Sequence, residues 1–124
     1  VHGIPLDNFV MKLQVWRKNS PHARKQVQVI LGVAQALVYL HSRQPCVMHG
    51  DLKPANILVE LRDSGPFAKL LDFGLSRTVT RNAKLVGGTM SFAGPELKGA
   101  TGRARACTEF DVYSFGRLLS VMLR

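Results

Sequence analysis

After Pro45 the hydrophobic period of this chain changes, and that change restricts the fold more than any other feature. Upstream, apolar residues recur at helical spacing. Leu6, Phe9, Val10, Leu13 and Trp16 predict one helix over residues 5–17. Val27, Ile30, Leu31, Ala34, Leu37, Val38 and His41 form the stripe of a second, expected from Pro21 to Ser42. Ser20 suits the cap of that helix and Pro21 its first position. His41, at its far end, reads as a packed or capping histidine. Downstream the pattern is that of strands. Val47-Met48 is a short one, followed by a polar loop over 49–56. Residues 57–61 and 67–71 are apolar runs separated by the turn residues of "RDSGP". A final segment, 108–124, is apolar on every side, as expected of a buried helix. The expected fold is α+β and mainly helical, with one small antiparallel hairpin.

The hairpin gives two distant polar residues a common address. Asn56 precedes its first strand and Asp72 follows its second, so both lie at its open end. Antiparallel strands run about 4.8 Å apart, which lets both oxygens approach one metal ion. The loop feeding the hairpin, "HGDLKPANIL" (49–58), carries Asp51 and Lys53 as well. Taken singly, Asp51 is a turn or capping acid, Asn56 a turn residue and Asp72 a strand-end acid. Together at one hairpin end they point to chemistry.

Composition removes several classes. The 124 residues suit one domain, and their net charge is +9. Lys and Arg are scattered from Lys12 to Arg124, with no aromatic residues interleaved to stack bases, so a nucleic-acid partner is not expected. Of eight acids, Asp51, Asp72, Glu96 and Asp111 fall within motifs. Cys46 and Cys107 match no metal spacing and read as reduced thiols. No apolar run reaches the roughly 18 residues of a membrane span. No basic-then-apolar leader opens the chain. A cytoplasmic location is the expectation. Residues 75–107 show little periodicity, which inside a compact domain marks a functional or disordered stretch. The oligomeric state is not legible.

Four segments in order resemble the C-terminal lobe of a eukaryotic protein kinase. "HGDLKPANIL" is similar to the catalytic loop H-R-D-L-x-x-x-N, and "DFG" (72–74) to the metal-binding tripeptide. "GTMSFAGPE" (88–96) resembles the close of the activation loop, and "DVYSFG" (111–116) the start of the buried central helix. The resemblance implies a serine/threonine kinase that uses ATP and Mg²⁺ to phosphorylate a protein substrate. It implies that Asp51 accepts the proton of the substrate hydroxyl and that Asn56 and Asp72 hold Mg²⁺. Lys53 would lie near the transferring phosphate. A lysine two residues after the acid is the serine/threonine pattern. Thr89 would bridge toward Asp51 and Lys53, Asp111 would brace the loop backbone, and His49 would pack. Gly74 lets the chain turn.

The departures carry expectations too. Gly50 stands where the family usually has an Arg that pairs with an activation-loop phosphate, so phosphates on Thr78, Thr80 or Thr89 lack that receiver. Gly94 replaces the usual Ala, and Phe92 the usual Tyr or Trp. No G-x-G-x-x-G loop and no V-A-I-K strand occur. "GIPLDNF" (3–9) resembles the helix just after the hinge between lobes. Residues 1–124 are therefore expected to be a partial kinase catalytic domain, inactive alone, with leucines 118, 119 and 123 partly exposed. The alternative function is a non-catalytic, kinase-like interaction module.

Overall fold

The computed structural model describes residues 2–15, 21–73, 76–78 and 108–123. Strand β1 (Ile4–Pro5) leads directly into α1 (Leu6–Val15). Helix α2 (Pro21–His41) follows, then β2 (Val47–Met48). A 3-10 turn (Pro54–Asn56) opens into β3 (Ile57–Arg62), which returns as β4 (Gly65–Leu70). β5 (Arg77–Thr78) and α3 (Glu109–Met122) complete the described elements. The expected helix at 5–17 is present from Leu6 to Val15, with Trp16 and Ser20 outside the described residues, and the helix expected at 21–42 and the hairpin are present with boundaries shifted by one or two residues. The expectations for Cys107, for Gly74 and for most of 75–107, Thr80 and Thr89 included, fall outside the described residues.

Two antiparallel sheets bracket the polar loop. One has the order β1-β3-β4, and its central hairpin pairs Ile57 with Leu70 and Arg62 with Gly65. The other is β2 paired with β5, Met48 opposite Arg77. The core joins both helical stripes to the hairpin through Leu6, Phe9, Val33, Ile57, Val59 and Leu118. Leu52, inside the loop, is 1% exposed and ties the loop to that core.

The helices depart from expectation in which face they bury. On α2 the buried line is Val29, Val33 and Leu37, while Val27, Leu31 and Val38 face outward. Apolar residues surround most of this helix, so spacing alone does not choose the face that meets β4. Helix α3 is not buried all round. Phe110, Asp111, Ser114, Leu118 and Met122 form its buried line, and Val112, Tyr113, Val121 and Leu123 are exposed. Leu118, expected to be partly exposed, is fully buried against the core.

The hairpin tip depends on glycine. Gly65 has φ +112°, and a Cβ there would stand 2.5 Å from Gln28 Oε1. The Gln28 amide donates to the Ser64 carbonyl (3.2 Å), so moving it aside breaks a tie between α2 and the tip. Gly65→Ala is expected to cost about 1–3 kcal/mol, the range for a side chain held in a sparsely populated backbone region. A lowered thermal midpoint measures this; an unchanged midpoint contradicts it. Beside the tip, hydrogen bonding from Arg62, with Lys69 assisting, holds the Glu60 carboxyl below its usual range despite slight desolvation.

Candidate active site

The loop between β2 and β3 is shaped by its backbone before any side chain acts. Gly50 has φ +86°, a conformation that side chains rarely adopt. This is a second reason for the smallest residue before Asp51, beyond the missing Arg. Pro54 then starts the 3-10 turn, closed by the Asn56 N–H donating to the Lys53 carbonyl (3.0 Å). The turn brings Asn56 back over Asp51. The Asn56 Nδ2 group donates to the Asp51 carbonyl (2.8 Å) and to Asp51 Oδ2 (3.0 Å). Both amide protons are thereby committed, which leaves Asn56 Oδ1 as the group's acceptor. Lys53 Nζ stands 3.5 Å from the same Asp51 Oδ2, and the Asp51 side chain is 9% exposed.

Asp72 reaches the site from the other strand. The Leu71 N–H donates to the Asn56 carbonyl (2.8 Å), so Asp72 follows directly after the residue bonded to Asn56. Asp72 has φ +58° and is exposed. The backbone there is the left-handed conformation that aspartate tolerates better than most residues. Thus Asp51, Lys53 and Asn56 form one contacting cluster, and Asp72 lies beside it at the hairpin's open end. Among the described residues no group of three His, Cys, Asp or Glu forms a cation cage. The oxygen donors here are one amide and one carboxylate, a set that suits a hard cation such as Mg²⁺.

Two histidines connect this loop to the rest of the molecule. His49 is fully buried. Its Nδ1 accepts from the Asp51 N–H (3.2 Å), so Nε2 carries the proton and donates to the Leu71 carbonyl (2.9 Å). The ring meets Phe73 edge-on at 5.1 Å, and the Ser76 hydroxyl donates to the His49 carbonyl (2.9 Å). His49 therefore joins the Asp51 loop to the Asp72 segment as well as packing. Asp111, 1% exposed on α3, accepts from the backbone N–H of His49 (2.7 Å) and of Gly50 (3.0 Å). His41 Nε2, at the end of α2, bonds the same carboxylate at 2.8 Å. The sequence offered no sign of this His41 contact or of Ser76, because both partners are distant in the chain. Burial, with the charges of Asp111 and Glu109, pushes the nearby Cys46 thiol up.

Comparison with known proteins decides the family. The profile described as "Protein kinase domain" matches residues 6–124. The chain belongs to the protein kinase family. A probable serine/threonine-protein kinase of Dictyostelium discoideum is 40% identical over 111 residues, covering 86% of this chain and 10% of that protein. A G-type lectin S-receptor-like serine/threonine-protein kinase of Oryza sativa subsp. japonica is 40% identical over 121 residues, covering 92% and 14%. A probable L-type lectin-domain containing receptor kinase of Arabidopsis thaliana is 41% identical over 98 residues, covering 74% and 13%. The chain therefore spans about a tenth to a seventh of the curated relatives it matches. Protein kinases generally use ATP and Mg²⁺. In this kinase-family chain the contacting cluster lies within the segment 49–58, and Asp72 opens the tripeptide 72–74.

Proposed function

We propose that this chain is part of the C-terminal lobe of a serine/threonine protein kinase, with residues 1–124 forming part of one catalytic domain. The observation that carries the proposal is the shared Asp51 Oδ2, which meets both Asn56 Nδ2 and Lys53 Nζ. Asn56 fixes the carboxylate so that it can orient a substrate hydroxyl and accept its proton. Lys53 offsets charge on the phosphoryl group in transit. Asn56 Oδ1 and the Asp72 carboxylate would hold Mg²⁺. Bound Mg·ATP supplies the phosphoryl group to be transferred. Because phosphoryl transfer depends on positioning and charge neutralisation, this chain's contribution is a preset acceptor site. The serine/threonine relatives and Lys53 support the choice of acceptor, and the receptor-like relatives suit a kinase domain working on the cytoplasmic side.

The test is phosphate transfer from Mg·ATP by the full-length protein to serine/threonine and tyrosine peptides. Transfer to serine or threonine supports the proposal. Transfer only to tyrosine refutes the acceptor assignment, and ATP binding without transfer establishes the non-catalytic alternative. The 124 residues contain no glycine-rich phosphate loop, so the chain alone is expected to transfer nothing. Turnover by the chain alone would contradict the partial-domain proposal.

Gly50 makes the regulation testable. It offers no cation to a phosphate on Thr78, which is exposed on β5, or on Thr80. Such a phosphate orders little without a charged partner. Phosphatase treatment of the active protein is expected to leave most activity intact. A large loss would instead assign the receiving role to another cation, Arg77 or Arg81.

A further inference from the structure

Away from the site, α2 and β4 leave an open cleft of about 350 Å³ between them. Its floor is made of small residues, Gly32, Ala36 and Ala68, and its walls carry Gln28, Gln35 and Phe67. Gly32 forms the closest approach, since a Cβ there would lie 3.2 Å from the Ala68 side chain. Among the described residues β4 is an edge strand. The Leu71–Asn56 bond sets the alternation of the ladder, so the Pro66 carbonyl and the Ala68 N–H and carbonyl point away from β3; proline has no N–H to add. Both residues are buried, Ala68 against Gly32 of α2, so the groups the cleft offers to another polypeptide backbone are the exposed side-chain amides of Gln35 and Gln28, the latter shared with the Ser64 carbonyl.

Charge selects the kind of polypeptide. Helix α2 contains no acidic residue over its 21 positions. Helical spacing from Lys25 through Gln28, Gly32 and Gln35 to Tyr39 keeps these residues on one face. Beyond the cleft, at the end of α2, Arg43 lies over the Tyr39 ring at 4.6 Å and donates to its hydroxyl (3.2 Å), which holds a cation there. Neither Lys25 nor Arg43 has an acidic partner among the described residues. The acids on the hairpin are Glu60, held by Arg62 and Lys69, and Asp63, exposed at the tip. Lys25 and Tyr39 are separated by about 21 Å along the helix. An extended peptide of about six residues spans that length.

We propose that this cleft docks an extended peptide with an apolar centre and acidic ends, supplied by a partner protein. The aromatic faces argue against a nucleic acid. Arg62 lies over Phe67 at 3.7 Å and Arg43 over Tyr39, so those ring faces are occupied rather than offered for stacking.

The test is fluorescence anisotropy of the full-length protein at low salt with labelled Asp-Glu-Leu-Val-Leu-Glu-Asp. Controls are Asn-Gln-Leu-Val-Leu-Gln-Asn and a single-stranded oligothymidine. Saturable binding of the acidic peptide is expected, at least about tenfold tighter than either control. The double variant Lys25→Glu/Arg43→Glu, and separately Gln35→Trp, should each weaken it about tenfold or more. All these positions are exposed, and unchanged thermal midpoints would show that the variants remain folded. No saturable binding, equal binding of either control, or indifference to both variants in folded protein would overturn the proposal.

Discussion

Replacing Asp51 by Ala in the full-length protein is expected to lower kcat by roughly 10²–10⁴-fold, the usual worth of a positioned acid–base group. The Michaelis constant for ATP should move much less, because the lost interaction is made in the transition state. Asp51 Oδ2 meets both Asn56 Nδ2 and Lys53 Nζ, so its removal deletes the proton acceptor and releases both neighbours. Asp51→Asn separates the two effects. The amide preserves size but loses charge and basicity, so it should remain severely impaired while restoring part of the loop's order. Steady-state phosphorylation of a serine/threonine peptide gives the answer. Near wild-type kcat in either variant would remove Asp51 from the role proposed for it.

The largest expected loss of stability comes from Asp111→Ala. That carboxylate is 1% exposed and joins the His49 N–H, the Gly50 N–H and the His41 ring. Alanine leaves two backbone donors without their acceptor, one of them buried, each at a cost of about 1–3 kcal/mol. A total near 3 kcal/mol is expected from denaturant titration, and a change below about 0.5 kcal/mol would place Asp111 among ordinary surface residues. Activity should fall as well, since Gly50 precedes Asp51 and its φ of +86° is held partly by this contact. Asp111→Asn should be milder, because the amide oxygen can still accept while its nitrogen cannot.

Much of this arrangement was legible from residue order. Pro21 starts α2 where proline is best tolerated, and the helix ends at His41, ahead of Pro45. The run from Ile57 to Leu70 reads as a hairpin because turn residues interrupt two apolar segments. That topology places Asn56 and Asp72 at the same end without further information. The illegible parts have physical causes. β1 is two residues long and includes Pro5, so it has no period to detect, yet it pairs Ile4 with Val59. β5 is equally short. The buried face of α2 was misread because Val27, Leu31 and Val38 are as apolar as Val29, Val33 and Leu37. Only the position of β4 distinguishes them. The links from His41 and Ser76 to the loop were hidden because local spacing carries no record of a partner tens of residues away.

The Asp111 carboxylate is 61 and 62 residues from the two amides it accepts in the loop. Contacts of such separation form only after a large loop closes, with its entropic cost already incurred. The helices and the hairpin can gather through nearer contacts, but the segment before Asp51 gains this anchor only when α3 docks. In a chain emerging from a ribosome, α3 is also the last described element to appear. The reactive geometry is therefore a late acquisition among the described elements, since a growing polypeptide exposes both earlier helices and the hairpin before this brace is in place.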